Sequence, residues 1–236
     1  MSTTPALEIR NLRFRYASED LAAGSASGHA PWTVDVAALA LQPGEQVLLT
    51  AGSGVGKSTL LHLIAGILDP LEGHVIVAGE DVHQRAGAAR DAFRGRHIGM
   101  IFQTFNLLHG FTALENVMAA MMFSSIPRAE HAPRAAALLT HLGITRHTQT
   151  PEQQSVGMQQ RVAVARALAC DPALVLADEP TASLDPDNAS AAIELIQSAC
   201  REKNAALLCV SHDPSMRQRF SPPAGSVKSL PELRSC

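Results

Sequence analysis

The residues best suited to chemistry stand in two stretches. Leu174-Val175-Leu176-Ala177 runs straight into Asp178-Glu179, so a buried strand is expected to end on two adjacent carboxylates. Upstream, the strand-like run Val47-Leu48-Leu49-Thr50 empties into Ala51-Gly52-Ser53-Gly54-Val55-Gly56-Lys57-Ser58-Thr59, followed by Leu60, Leu61, Leu63 and Ile64. A glycine-rich turn between a strand and an apolar helix offers backbone N–H groups and a helix N-terminus to an anion. Within it Lys57 is placed for the β- and γ-phosphates of a nucleotide, and the Ser58 hydroxyl for Mg²⁺. Asp178, at the tip of the second strand, can hold that metal through its water shell. Glu179 beside it can orient or deprotonate an attacking water. Together the stretches predict a site that binds and hydrolyses a nucleoside triphosphate. Ala51 stands where the phosphate-loop pattern begins with glycine.

Positioning such groups takes an ordered core. The first strand is read over Leu7–Tyr16, where Leu7 and Ile9, then Leu12, Phe14 and Tyr16 alternate with polar residues. The Gly/Ser/Ala-rich stretch 17–31 reads as a mobile loop. Strand patterns follow at Val34–Leu41, His74–Val77 and Ile98–Phe102, and buried strands at Leu174–Ala177 and Ala205–Val210. Helical spacing places Leu114, Val117, Met118, Met121 and Met122 on one face, read as core, with further helices at Ala135–Leu142, Gly157–Ala169 and Asp187–Arg201. Pro127 and Pro133 are expected to break the region Thr112–Gly143 into pieces. Strands alternating with helices predict a mainly parallel sheet with helices on both faces. The helical block 104–170 is expected to form a separate lobe.

The chain has 236 residues, 46% hydrophobic and 17% charged, enough for one large α/β domain and too apolar for a disordered chain. A net charge of −3 gives no reason to expect a nucleic-acid partner. The basic cluster Arg85, Arg90, Arg94 and Arg96 reads as a solvated loop or a short helix. Cys170, Cys200, Cys209 and Cys236 lack metal-site spacing and read as reduced, with Cys209 inside an apolar run. Met1–Pro5 lacks the layout of a secretory signal, and the apolar runs are too short to span a bilayer. If the protein works at a membrane, something else crosses it.

Taken in order, these motifs resemble the ATP-binding subunit of an ABC transporter. Asp178-Glu179-Pro180-Thr181-Ala182-Ser183-Leu184-Asp185 is similar to that family's second Walker motif and D-loop. Ser211-His212-Asp213 resembles its switch-histidine loop, and Gln103 its Q-loop glutamine. Tyr16 stands where the family has an adenine-stacking aromatic, and residues 159–168 match the helix after the signature. The segments 102–108 and 112–117 resemble the lipoprotein-releasing and macrolide-export branch.

The resemblance implies a P-loop NTPase (RecA-like) core with an N-terminal antiparallel β lobe, about residues 1–103 and 171–236, and an inserted helical lobe at about 104–170. It implies ATP and Mg²⁺ held by Tyr16, residues 52–59 (Gly52, Ser53, Gly54, Val55, Gly56, Lys57, Ser58 and Thr59) and Asp178. Glu179, His212 and Gln103 would be catalytic, with Gln103 also near the metal. Ser155 and Gly157 would complete the site of a second ATPase subunit, identical or not. A separate transmembrane permease would be the partner, met through Asn106, Leu107, Leu108 and Phe111, or these would be buried in the lobe. The chain would then sit peripherally on the cytoplasmic face of the inner (plasma) membrane, touching it only through the permease.

One departure bears on mechanism. The signature appears as Gln154-Ser155-Val156-Gly157-Met158, with valine in place of a glycine that can approach closely or take positive φ. An alternative reading is therefore a nucleotide-dependent regulator or adaptor with weak hydrolysis. A soluble ATPase of DNA repair or translation is a third, but no coiled-coil insertion, zinc spacing or tandem ATPase domain is visible in the sequence.

Overall fold

The computed structural model describes residues 4–16, 31–52, 54–182, 184–222 and 225–234. The stretch expected to form a mobile loop falls almost wholly at 17–30, outside the described residues, as does Cys236.

Two sheets organise the chain. The first is antiparallel, in the order β2-β1-β4-β5, from β1 (Leu7–Phe14), β2 (Val34–Leu41), β4 (Glu72–Val77) and β5 (Glu80–Asp81). Leu7 and Ile9, then Leu12 and Phe14, are its buried residues in β1. That change of phase coincides with a register shift against β4 between Arg10 and Arg13, and with Asn11 at φ 48°. Tyr16 lies beyond the end of the strand rather than in it.

The second sheet is parallel, in the order β6-β7-β8-β3-β9. Its strands are β3 (Gln46–Thr50), β6 (Ile98–Ile101), β7 (Leu174–Asp178), β8 (Ala206–Ser211) and β9 (Ser226–Ser229). Alternate side chains of these strands feed two separate cores. Val175, Ala177, Leu207 and Cys209 face one formed with α3 (Ala113–Met121), α4 (Arg128–His141), α5 (Val156–Leu168) and α6 (Pro186–Glu202). Leu174, Leu176, Leu208 and Val210 face the other, closed by α1 (Lys57–Ile64) and the antiparallel sheet. Apolar on both faces, the strands read as continuous hydrophobic runs for this reason.

Several sequence expectations change here. Pro133 does not break the helical region. It sits inside α4, where it withdraws one interior N–H, while Pro127 is the N-cap. Met121 is buried as expected of the shared face, but Met122 caps α3 and is 66% exposed. Arg90, Arg94 and Arg96 of the basic cluster lie in α2 (Gly87–His97), with Arg85 just before it, and the helix's arginines are not simply solvated. Arg90 and Arg94 donate to the Gly66 carbonyl at 3.5 and 3.3 Å, and Arg94 to that of Ala65 at 3.2 Å. These carbonyls end α1, where cations satisfy orphan acceptors and oppose the helix dipole. Burial pushes the Cys200 thiol up to about 12 and that of Cys209 upward as well, so both behave as inert core groups. Among the described residues no helix is long and apolar enough to cross a membrane.

Candidate functional site

Every candidate catalytic group lies where the parallel strands end. Ligands in such sheets bind outside the carboxyl ends of the strands. The loop after β3 carries residues 51–56 into α1, β6 leads to Gln103, β7 ends at Asp178-Glu179, and β8 delivers Ser211-His212. A cavity of about 550 Å³ at these ends is lined by Tyr16, Gly54, Gly56, Lys57, Ser58, Thr59, Gln103, Glu179 and His212. Thr33 lines it too, and nothing in the sequence pattern singled that residue out. Ser53 lies outside the described residues.

Local geometry makes the loop an anion cradle. Gly56 is the N-cap of α1 at φ 85°, and a Cβ there would stand 2.4 Å from the Thr33 carbonyl oxygen. Only glycine fits that backbone. No acidic residue occupies the first turn of α1, so its N-terminal N–H groups face the cavity without a competing carboxylate. Ala51 and Val55 are absent from the positive-φ residues, so alanine in the first glycine position meets no conformational obstacle. Lys57 is buried, and its ammonium donates to the Ala51 and Gly52 carbonyls, both at 3.0 Å.

Glu179 is the electrostatic centre. The register that pairs Asp178 with Val210 brings the residues after β7 beside those after β8. The Glu179 carboxylate accepts from Ser211 Oγ at 3.0 Å, from the His212 backbone N–H at 3.1 Å and from His212 Nδ1 at 2.7 Å. Lys57 Nζ stands 3.4 Å from the same carboxylate. Burial alone would raise its pKa, but the hydrogen bonds of His212 and Ser211 and the His212 charge outweigh it, and the net shift is downward. Glu179 is thus held as the anion, the form that can accept a proton. Its backbone has φ 45°, a costly conformation for a residue with a side chain, here imposed beside the chemistry.

Asp178 complements it. Its Oδ1 is buried with no hydrogen-bond partner among the described residues. An acceptor so placed fits a cation that would restore its lost solvation, so Asp178 with Ser58 and Gln103 suits Mg²⁺. Tyr16 leans on the first turn of α1: its hydroxyl is 3.1 Å from Thr59 Oγ1, and its ring packs edge-on against Phe14. The ring is 54% exposed, leaving a face open at the cavity rim.

The structure leaves Ser155 and Gly157 outside this cavity. They occupy the N-terminus of α5, with the Ser155 hydroxyl accepting from the Met158 N–H at 3.3 Å. Val156 begins that helix, 49% exposed and without positive φ, so its backbone does not demand glycine. Gln154 just before it is buried with Oε1 unpartnered. Two residues that fall within motifs of the sequence, but are given no role of their own there, support the site: Ser211, and Gln160, whose amide donates to the Pro180 carbonyl at 3.2 Å.

A family profile described as ABC transporter matches residues 34–182. The chain is 44% identical over 189 residues to the lipoprotein-releasing system ATP-binding protein LolD of Granulibacter bethesdensis, covering 79% of this chain and 82% of that one. It is 40% identical over 201 residues to the protein of that name from Geobacter metallireducens, with 84% and 88% covered. Among solved structures it resembles a dimeric post-hydrolysis state of the ATP-binding cassette MJ0796 bound to ADP and Pi, with a TM-score of 0.74, 30% identity and 89% of each chain covered. A dimeric structure of MJ0796 described as a bacterial ABC transporter cassette gives a TM-score of 0.77 at 28% identity, covering 95% and 94%. With a carboxylate pair, a phosphate cradle and a buried lysine converging at the strand ends, and with these likenesses, the chain belongs to the ABC transporter family as an ATP-binding subunit resembling its lipoprotein-releasing branch.

Proposed function

We propose that this subunit hydrolyses ATP and powers a separate membrane permease through ATP-driven dimerisation. The observation that carries the reading is the convergence of Lys57, Glu179 and Asp178, whose Oδ1 has no partner among the described residues, beyond the ends of β3 and β7, the two strands that flank β8. The triphosphate occupies the N–H cradle of residues 52–59, and Lys57 exchanges its carbonyl partners for phosphate oxygens. Glu179 accepts the proton of the water whose oxygen attacks the γ-phosphorus, and the bridging oxygen leaves with ADP. His212 holds Glu179 in place through Nδ1 and senses loss of the γ-phosphate. Magnesium, when bound, offsets phosphate charge, and Ser58, Asp178 and Gln103 are the residues that would hold it.

Ser155, which is exposed, and Gly157, which is half-buried, lie away from their own cavity and serve the nucleotide of a second subunit, so two chains close two sites. The helical block 104–170 acts as the lobe that carries them. Valine at 156 crowds that approach from outside the helix, since its own backbone is unstrained. Val156→Gly is therefore expected to raise ATPase activity several-fold in a homodimer, and only with the partner present in a heterodimer. Phosphate release by each assembly measures this, and an unchanged rate in both shows that the closed dimer accommodates valine. The second reading, a nucleotide-binding regulator with weak hydrolysis, is favoured by that valine. Phosphate release by the purified complex separates the two readings.

The permease meets a groove of about 520 Å³ between α2, β6 and α3, lined by Ile67, Phe102, Leu108 and Phe123 among others. Ile67, Leu108 and Phe123 are 49%, 43% and 63% exposed, an apolar patch of the kind that marks an interface. Of the four residues read from sequence as candidates for docking, Leu108 alone lines the groove; Leu107 is buried in the core, and Asn106 and Phe111 are exposed elsewhere. Leu108→Asp is expected to abolish co-purification with the permease while leaving ATP affinity at the parental value. Retained co-purification removes this groove as the docking site. The reading places the chain on the cytoplasmic face of the inner membrane.

A further inference from the structure

Arg166 lies in the last turn of α5 and makes no contact with the nucleotide cavity, yet it is bound to the loop that leaves it. Its guanidinium donates to the Asn106 carbonyl and to the Phe105 carbonyl, each at 2.5 Å. Those two residues are consecutive and both at positive φ, 60° for Phe105 and 48° for Asn106. Neither is glycine, and such a pair persists only where its surroundings over-determine it. Local bonds supply part of the restraint: Phe105 N–H to the Phe102 carbonyl at 3.0 Å, and Thr104 Oγ1 to Asn106 Oδ1 at 2.7 Å. The Asn106 N–H donates to the Thr104 carbonyl at 2.7 Å and the Phe105 side chain is buried, and the bidentate clamp of Arg166 adds to these restraints.

The cation is not there for an ion pair. No carboxylate among the described residues pairs with it, and burial pushes its pKa down with no charge opposing that shift. A partly buried guanidinium satisfied by carbonyls alone is an expensive arrangement unless the carbonyls need holding. The helix that carries it also places Gln160 on the Pro180 carbonyl, one residue past Glu179. One rigid element therefore grips the loop of Gln103 at its far end and the loop of Glu179 along its length. Arg166 also lines the apolar groove with Leu108, so the groove and the Gln103 loop share a wall.

We propose that Arg166 is a positioning residue: by clamping the Phe105 and Asn106 carbonyls it fixes the backbone course that presents Gln103 to the nucleotide and its metal. This rests on the role of Gln103 proposed above. Lysine keeps the charge but loses the planar fork, so it holds the two carbonyls with less fixed geometry.

The test compares Arg166→Lys with Gln103→Ala in the full chain. Both are expected to lower kcat, Arg166→Lys by about 10–100-fold, the usual effect of slight misplacement from outside the chemistry. A fluorescent ATP analogue should bind either variant normally without Mg²⁺, and the gain in affinity on adding Mg²⁺ should shrink in both. Amide exchange at residues 104–107 should accelerate in Arg166→Lys without any ligand. Adding Asn106→Gly, which takes positive φ without strain, should restore much of the lost kcat. Parental kcat in Arg166→Lys beside a slowed Gln103→Ala overturns the proposal. So does equal loss of affinity with and without Mg²⁺, which marks a merely structural arginine. Parental kcat in Gln103→Ala removes the underlying role of Gln103 and the proposal with it. If Arg166→Lys does not fold, Asn106→Val strains the same loop without touching α5. A slowed kcat with normal Mg²⁺-free binding there supports the proposal, and parental kcat overturns it.

Discussion

Glu179→Gln is expected to bind ATP as the parent does and to hydrolyse it about 10²–10⁴-fold more slowly. The substitution is nearly isosteric, so an amide oxygen at the Oε2 position still accepts from Ser211 and, at 3.3 Å, from the His212 N–H. What disappears is a carboxylate whose hydrogen bonds hold it ionised despite burial. An amide cannot take the proton of the attacking water, so the chemical step slows while the phosphate cradle is untouched. Nucleotide affinity from a fluorescent analogue and single-turnover phosphate release read the two effects apart. A variant that turns over at the parental rate means that another group is the base, or that the parent hydrolyses too little for a base to matter.

Lys57→Ala is expected to fail one step earlier, at binding. Losing one partner of a buried charge interaction costs about 2–5 kcal/mol, which is about 30-fold to several thousand-fold in Kd. The buried ammonium spans the Ala51 and Gly52 carbonyls and the Glu179 carboxylate, so alanine also strips the loop of its cation. The variant should therefore melt lower than the parent even without nucleotide, as measured by thermal unfolding. Parental ATP affinity in this variant removes the phosphate-loop assignment.

How much of this was legible in the sequence follows from where each signal resides. The strand ending at Asp178 was readable because four apolar residues stop abruptly at two charges, and the phosphate loop because glycine, lysine and serine fall between a strand and a helix. These are local patterns. The bond between His212 and Glu179 was not readable in that way, since it depends on β7 and β8 being neighbours in register, a fact of the sheet and not of either segment. The helix α2 was ambiguous because its buried residue is Phe93 alone and its arginines serve carbonyls of α1, a partner far away in the chain. β9 was missed because Ser226–Ser229 is short, polar and half-buried, a strand only by virtue of β3 beside it. Pro133 misled because a helix can carry one missing interior N–H when its buried face, here His131, Ala135 and Leu139, holds it in place. The valine at 156 was judged from a glycine's conformational freedom, which the first turn of α5 does not use.

The sheet order has a consequence for synthesis. β3, which launches the phosphate loop, is flanked by β8 on one side and β9 on the other, so residues 46–50 pair only with residues 206–211 and 226–229. A ribosome making this chain has to add more than 150 residues after Thr50 before either neighbour exists, on the order of ten seconds or more at usual rates. During that interval the apolar strand and the loop beyond it have no ladder to join, and a nascent chain cannot be rescued early by ATP. Translation must pass residue 229 before the nucleotide-binding half of the molecule can close.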